Sequence, residues 1–195
     1  MKSSVRTIVL GAGLALICSG CAKDPFSTRR PQEPLGSGGT YLTPVDPQIA
    51  VDTNLYHALI EKNAGHYLQT LADSVLYVFD YVLEGPPDSA HSWGIGEESR
   101  IVGNMFSCVS SIDASWEPTI GRVDRFEDST AILYRTYQIS VTITKSDSTT
   151  SFQYRGEMTV HLRRNALDLW LIVLWEDLHS SAAMASWADL KSRFR

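Results

Sequence analysis

Residues 131–177 read AILYRTYQISVTITKSDSTTSFQYRGEMTVHLRRNALDLWLIVLWED, and this stretch decides the fold. In Ala131–Thr144, Tyr137, Ile139, Val141 and Ile143 alternate with Gln138, Ser140, Thr142 and Thr144. In Ser151–Arg164, Phe152, Tyr154, Gly156, Met158, Val160 and Leu162 alternate with Gln153, Arg155, Glu157, Thr159, His161 and Arg163. A period of two places one set on a covered face and the other on a wet face or against a partner. Leu167–Asp177 is apolar in both phases, Leu169, Leu171, Val173 and Trp175 against Trp170, Ile172 and Leu174, as expected of a strand covered on both sides. The polar breaks Lys145–Ser148 and Asn165-Ala166 are short enough only for turns, so the three strands form consecutive antiparallel hairpins.

Upstream, Ile112–Ile120 is a further strand, and Glu97–Phe106 carries Ile101, Val102, Met105 and Phe106 at helical spacing. Gly85-Pro86-Pro87-Asp88 marks a turn or loop after a strand at Ser74–Val82, where Tyr77, Phe79 and Tyr81 share one face. Asp52 or Thr53 is placed to cap a helix bearing Leu55, Leu59 and Ile60, and a short helix His66–Ala72 follows Asn63-Ala64-Gly65. Downstream, Ser186–Phe194 is amphipathic, with Trp187, Leu190 and Phe194 on one side. No internal repeat is visible.

The first twenty residues are of another kind. Lys2 and Arg6 precede a ten-residue apolar run, Ile8–Ile17, then Ser19-Gly20 before Cys21. The run is far shorter than the ~20 residues a bilayer-spanning helix needs, so it reads as a secretory signal. The small pair before a cysteine resembles a bacterial lipobox, with Cys18 where leucine is usual. The resemblance implies cleavage before Cys21 and acylation of its thiol, and Ala22 rather than an acid implies outer-membrane sorting if the organism has two membranes. Cleavage elsewhere would leave Cys21 free. Residues 21–50 hold five of the eight prolines and Gly36-Ser37-Gly38-Gly39, a composition expected of a flexible tether, with Tyr41-Leu42 placed to dock as a strap. The folded domain is then 51–195.

The chain has 17 basic and 22 acidic residues. Loss of residues 1–20 removes two bases and no acid, leaving 15 against 22. Without a Lys/Arg cluster this argues against nucleic-acid binding. Cys108 would be the one cysteine of a mature lipidated chain besides the anchor, and is expected as a small buried hydrophobe.

Several local patterns in order carry a family resemblance. They are Leu71-Ala72-Asp73-Ser74-Val75; Trp93 with Glu97-Glu98 and Met105-Phe106; Arg155-Gly156 to Leu162-Arg163; Asp168–Ile172 and Trp175-Glu176-Asp177; and Trp187–Lys191. Together these resemble the nuclear transport factor 2-like (SnoaL-like) domain over about residues 50–195. The resemblance implies an α+β fold in which a strongly curved antiparallel sheet wraps N-terminal helices and leaves a conical pocket. The last helix departs from the pattern, since such cones normally close without one. The family includes ketosteroid isomerase, dehydratases, polyketide cyclases and non-catalytic binding modules, so the fold alone assigns no function.

No catalytic residue is placed by a motif. The pocket-lining candidates are Tyr77, Phe79, Trp116, Tyr134, Tyr137, Tyr154, Trp175 and Asp177, with Trp170 among the aromatics that either line a cavity or fill the core. Glu176, Asp177 and Asp80 are candidate bases, although acids at strand ends more often bond backbone groups. His57, His66, His91, His161 and His179 are dispersed, with no i, i+4 pair, so no metal is expected, and no motif calls for a cofactor. Three readings stand. The first is a membrane-anchored envelope module binding a small apolar ligand or a protein. The second is an isomerase- or dehydratase-type enzyme with a pocket carboxylate. The third is a structural subunit meeting a second copy or another envelope protein through its sheet.

Overall fold

In a computed structural model we describe residues 40–80, 91–146 and 148–195. Every described residue belongs to one compact unit. The expected signal, Cys21 and the turn at Gly85–Asp88 lie outside the described residues.

A π-helical stretch, Ile49–Leu55, runs directly into α1 (Tyr56–Ile60), and α2 (Ala64–Gln69), β1 (Leu71–Phe79), β2 (Ser92–Gly94) and α3 (Ile95–Cys108) follow. Then come β3 (Ser111–Pro118), β4 (Arg125–Phe126), β5 (Thr130–Lys145), β6 (Ser148–Arg164), β7 (Trp170–His179) and α4 (Trp187–Ser192). The first helix begins earlier than expected. Its N-cap is Gln48, and Asp52 lies inside it rather than capping it. The segment expected as tether is packed on the domain from Thr40. Asn54, fully buried, exchanges two hydrogen bonds with the backbone of Leu42, and Trp170 N–H donates to Pro44 O. Asn63 caps α2 by accepting from His66 N–H.

The seven strands form one sheet in the order β2-β1-β7-β6-β5-β3, with β4 also paired to β5. The expected hairpins β5–β6 and β6–β7 are antiparallel. The β1–β7 ladder is parallel, which makes the sheet mixed. Consecutive hairpins dictate antiparallel pairing, whereas strands separated by most of the domain are free to pair either way. β2 and β4 are three- and two-residue strands, too short to show a period.

The expected alternation appears on β5 and β6. Ala131, Leu133, Tyr137, Ile139 and Val141 are buried on β5, as are Tyr154, Met158, Val160 and Leu162 on β6. β7 differs. Its register against β6 shifts between His161 and Leu162, which pair with Leu174 and Ile172, so Val173 is the extra residue of a bulge. A bulge reverses which phase points inward. Trp170 and Ile172 are therefore buried before it, and Trp175 and Asp177 after it. The doubly apolar appearance of this strand comes in part from that switch, not only from cover on both faces. α3 places Glu98, Ile101, Val102, Met105 and Phe106 on its buried stripe, so one of the five is an acid. Cys108, expected to be buried, is exposed at the end of that helix, where Val109, four residues after Met105, continues the buried stripe and leaves position 108 at its edge. Among the described residues, no helix is long and apolar enough to cross a membrane.

Candidate functional site

The sheet's inner face gathers a polar pair into an aromatic wall. Tyr137 lies opposite Gly156, Met158 opposite Asp177, and Tyr77 beside Trp175 across the parallel ladder. Because Gly156 has no side chain, the Tyr137 ring crosses over it, and its hydroxyl donates to Asp177 Oδ1 at 2.6 Å. Asp177 is fully buried. Burial pushes its carboxyl above the ordinary 3.8, against the opposing pull of the Tyr137, Ala188 and Ser186 donors and of the Lys191 charge. The Tyr137 hydroxyl is raised well above 10, first by burial and then by the Asp177 charge.

The chain then turns back on itself. Ser186 begins α4 with a capping box, in which its side chain accepts from Ala188 N–H and Asp189 Oδ2 accepts from Ser186 N–H. The same end of the helix takes up the polar pair. Ser186 Oγ–H (2.9 Å) and Ala188 N–H (2.7 Å) donate to Asp177 Oδ2, and Trp187 N–H donates to the Tyr137 oxygen at 2.7 Å. Trp187, Ala188, Leu190 and Lys191 are all buried. The Trp187 ring meets Trp175 edge-on at 4.6 Å, Tyr137 at 5.6 Å and Trp116 at 6.0 Å.

One turn on, Lys191 carries a cation into the same space. Its Nζ lies 2.6 Å from Glu98 Oε1, 3.7 Å from the Tyr77 ring centroid, 4.4 Å from Trp175, 5.3 Å from Trp187 and 5.9 Å from Tyr67. Glu98 also accepts from Tyr67 Oη–H and Trp93 Nε1–H, both at 2.6 Å. Burial lowers the Lys191 ammonium from its ordinary value, while Glu98 pulls it back up. His179 secures α4 from outside. Its Nδ1 is 2.7 Å from Asp80 Oδ1 and its Nε2 2.7 Å from Asp189 Oδ2.

The candidate residues thus separate. Tyr77, Tyr137, Trp175 and Asp177 converge with Trp187 and Lys191 inside the cone. Trp116 is half-buried at the rim, against Tyr56 and Trp187. Phe79 is core, against Trp93 and His91. Tyr154 is buried on β6, with Arg193 over its ring at 6.0 Å. Tyr134 faces the other side of the sheet, where Arg122 lies over its ring at 5.3 Å. Trp170 is buried beneath Arg164. Glu176 points away from the cone and meets His161 at 3.1 Å. An open cleft of about 450 Å³ at the rim is lined by Trp116, Glu117, Thr136, Tyr137, Arg155 and Ser180, among others. Sequence reasoning missed Glu98, Gly156, Ser186 and Lys191. The available signal was a charged residue at an apolar position of a helical stripe, twice: Glu98 three residues before Ile101, and Lys191 four after Trp187.

No family model matches the chain, and no curated protein matches it in sequence. Solved structures do match. A ketosteroid isomerase-like protein from Erwinia carotovora atroseptica aligns over 69% of this chain and 94% of its own, with TM-score 0.51 and 16% identity. A nuclear transport factor 2-like superfamily protein from Salmonella enterica serovar Typhimurium aligns over 68% and 87%, with TM-score 0.50 and 7% identity. A hexachlorocyclohexane dehydrochlorinase aligns over 69% and 84%, with TM-score 0.52 and 6% identity. At these identities the likeness concerns architecture, and the mixed curved sheet with its packed helices agrees with it. The chain has the nuclear transport factor 2-like α+β cone fold.

Proposed function

We propose that the chain is a membrane-anchored envelope lipoprotein whose cone serves binding, and that at rest its own C-terminal helix occupies the cone. The observation that carries this reading is the use of the Tyr137–Asp177 pair. A general base must reach a substrate proton, yet here the pair is bonded to Ser186, Trp187 and Ala188. The signal-like first twenty residues with Cys21, and the proline- and glycine-rich segment after them, support the anchor. A ligand enters by displacing α4. The helix has six residues, and it is held by a buried Lys–Glu pair whose desolvation offsets much of its attraction.

A second reading rests on the same pair. With α4 displaced, a carboxyl raised by burial and a tyrosine hydroxyl would face the ligand together, an arrangement suited to isomerase- or dehydratase-type proton transfer.

Mass spectrometry and hydrogen exchange on the full-length product extracted from membranes test the proposal. The expected species begins at an acylated Cys21, and its α4 amides exchange at least about 100-fold faster than those of β6 and β7, as for a locally opening element. An unacylated chain recovered in the soluble fraction overturns the anchor. Protection of α4 equal to that of the sheet overturns displacement.

A further inference from the structure

We propose that the chamber around Lys191 is a binding site for organic ammonium ions, with Lys191 as its resident occupant. The inference rests on the reading of the cone as a binding site and names its ligand class.

Three observations point to a cation. The four rings of Tyr67, Tyr77, Trp175 and Trp187 surround Nζ at 3.7 to 5.9 Å, and aromatic faces attract ammonium groups through their quadrupoles. Glu98 supplies one full negative charge, oriented by the Tyr67 hydroxyl and the Trp93 indole N–H so that Oε1 faces the ammonium. The buried Asp177 adds a second carboxyl whose field acts on Lys191.

Only Trp187 of the cage belongs to α4. Tyr67, Tyr77 and Trp175, with Glu98, are contributed by α2, β1, β7 and α3. When α4 leaves, the negative, aromatic chamber remains. A neutral apolar ligand placed there would leave Glu98 buried without a counter-charge, which is costly. A primary ammonium with an apolar body reproduces what Lys191 provides, a cation beside Glu98 and over the rings.

The test uses the full chain. Lys191→Ala removes three methylenes and the ammonium, and n-propylammonium replaces those atoms. For a Kd of ~10 mM, propylammonium chloride at ~100 mM should raise the Tm of Lys191→Ala by about 3–6 °C over equal sodium chloride. The unaltered protein, in which Lys191 competes for the chamber, should respond less than Lys191→Ala. 1-Propanol, of the same size but neutral, should give less than half the shift. Adding Glu98→Gln to Lys191→Ala should abolish the preference for the cation. If Lys191→Ala is unfolded in sodium chloride, the readout is the folded fraction recovered in propylammonium. An equal response to propanol, an equal response of the unaltered protein, or no recovery overturns the proposal. Because rescue of Lys191→Ala does not require α4 to leave, it succeeds or fails separately from the displacement reading.

Discussion

Tyr137 and Gly156 face each other in the β5–β6 ladder, and the tyrosine hydroxyl occupies space that any Cβ at position 156 would need. The Leu178 carbonyl closes the same space from the other side. Gly156→Ala should therefore push Tyr137 off Asp177 and cost about 1–3 kcal/mol, as overpacking does. Urea unfolding with circular dichroism would measure it. A variant as stable as the unaltered protein would show that the strand yields and that the close approach is not required.

The Asp177 carboxyl sets a pH dependence. Its folded value is raised above 3.8, so the folded state holds this proton more tightly than the unfolded chain. The resulting stabilisation is complete below about pH 3.8 and is lost as pH rises through the raised value. Measured at a series of pH values, the stability difference between the unaltered protein and Asp177→Asn should shrink as pH rises across that window. A difference independent of pH would mean the carboxyl titrates alike in both states.

Arg135 occupies an inward position of β5 that periodicity assigns to an apolar residue. It is 2% exposed and donates to both oxygens of Asp52, at 2.8 Å each, and to Asp124 at 2.9 Å. It thereby ties the first helix and the loop before β4 to the sheet. Arg135→Met should cost about 3 kcal/mol, because it leaves two carboxylates without their partner. Arg135→Lys should recover less than half of that, since an ammonium cannot serve two carboxylates in a fork. Thermal unfolding of both variants distinguishes a planar fork from simple charge balance.

Trp187 fills the centre of the cone. Trp187→Ala should cost about 3–5 kcal/mol through the cavity it leaves, and Trp187→Phe clearly less. Near-ultraviolet circular dichroism should lose the signal of the Trp175–Trp187 edge-on contact in the alanine variant. Unfolding midpoints within error of the unaltered protein would mean that α4 contributes nothing to the closed state.

Much of this architecture was legible along the chain. A period of two survives any tertiary context, so β5, β6 and their inner faces could be read directly. Helical stripes placed α3 and α4 within two residues. Tyr77, Tyr137, Trp175 and Asp177 were legible as candidates because large aromatics and an acid at a strand end are conspicuous. Their different fates were not. Tyr134 lies three residues before Tyr137 and faces the other side of the sheet, and the Val173 bulge, invisible in composition, decides that Trp175 and Asp177 both point inward.

The sequence by itself determined the long strands β5 and β6, the helices α3 and α4 and the antiparallel hairpins, because these depend on neighbours within a few positions. Only the tertiary structure decided that β1 pairs parallel to β7, that Arg135 and Glu98 are buried charges, and that Lys191 and Trp187 fill the cone. Each of these joins residues dozens of positions apart. A lysine on a short terminal helix has the same local pattern whether water or four aromatic rings surround it. The difference lies in how the sheet curves around it, and no local spacing records that.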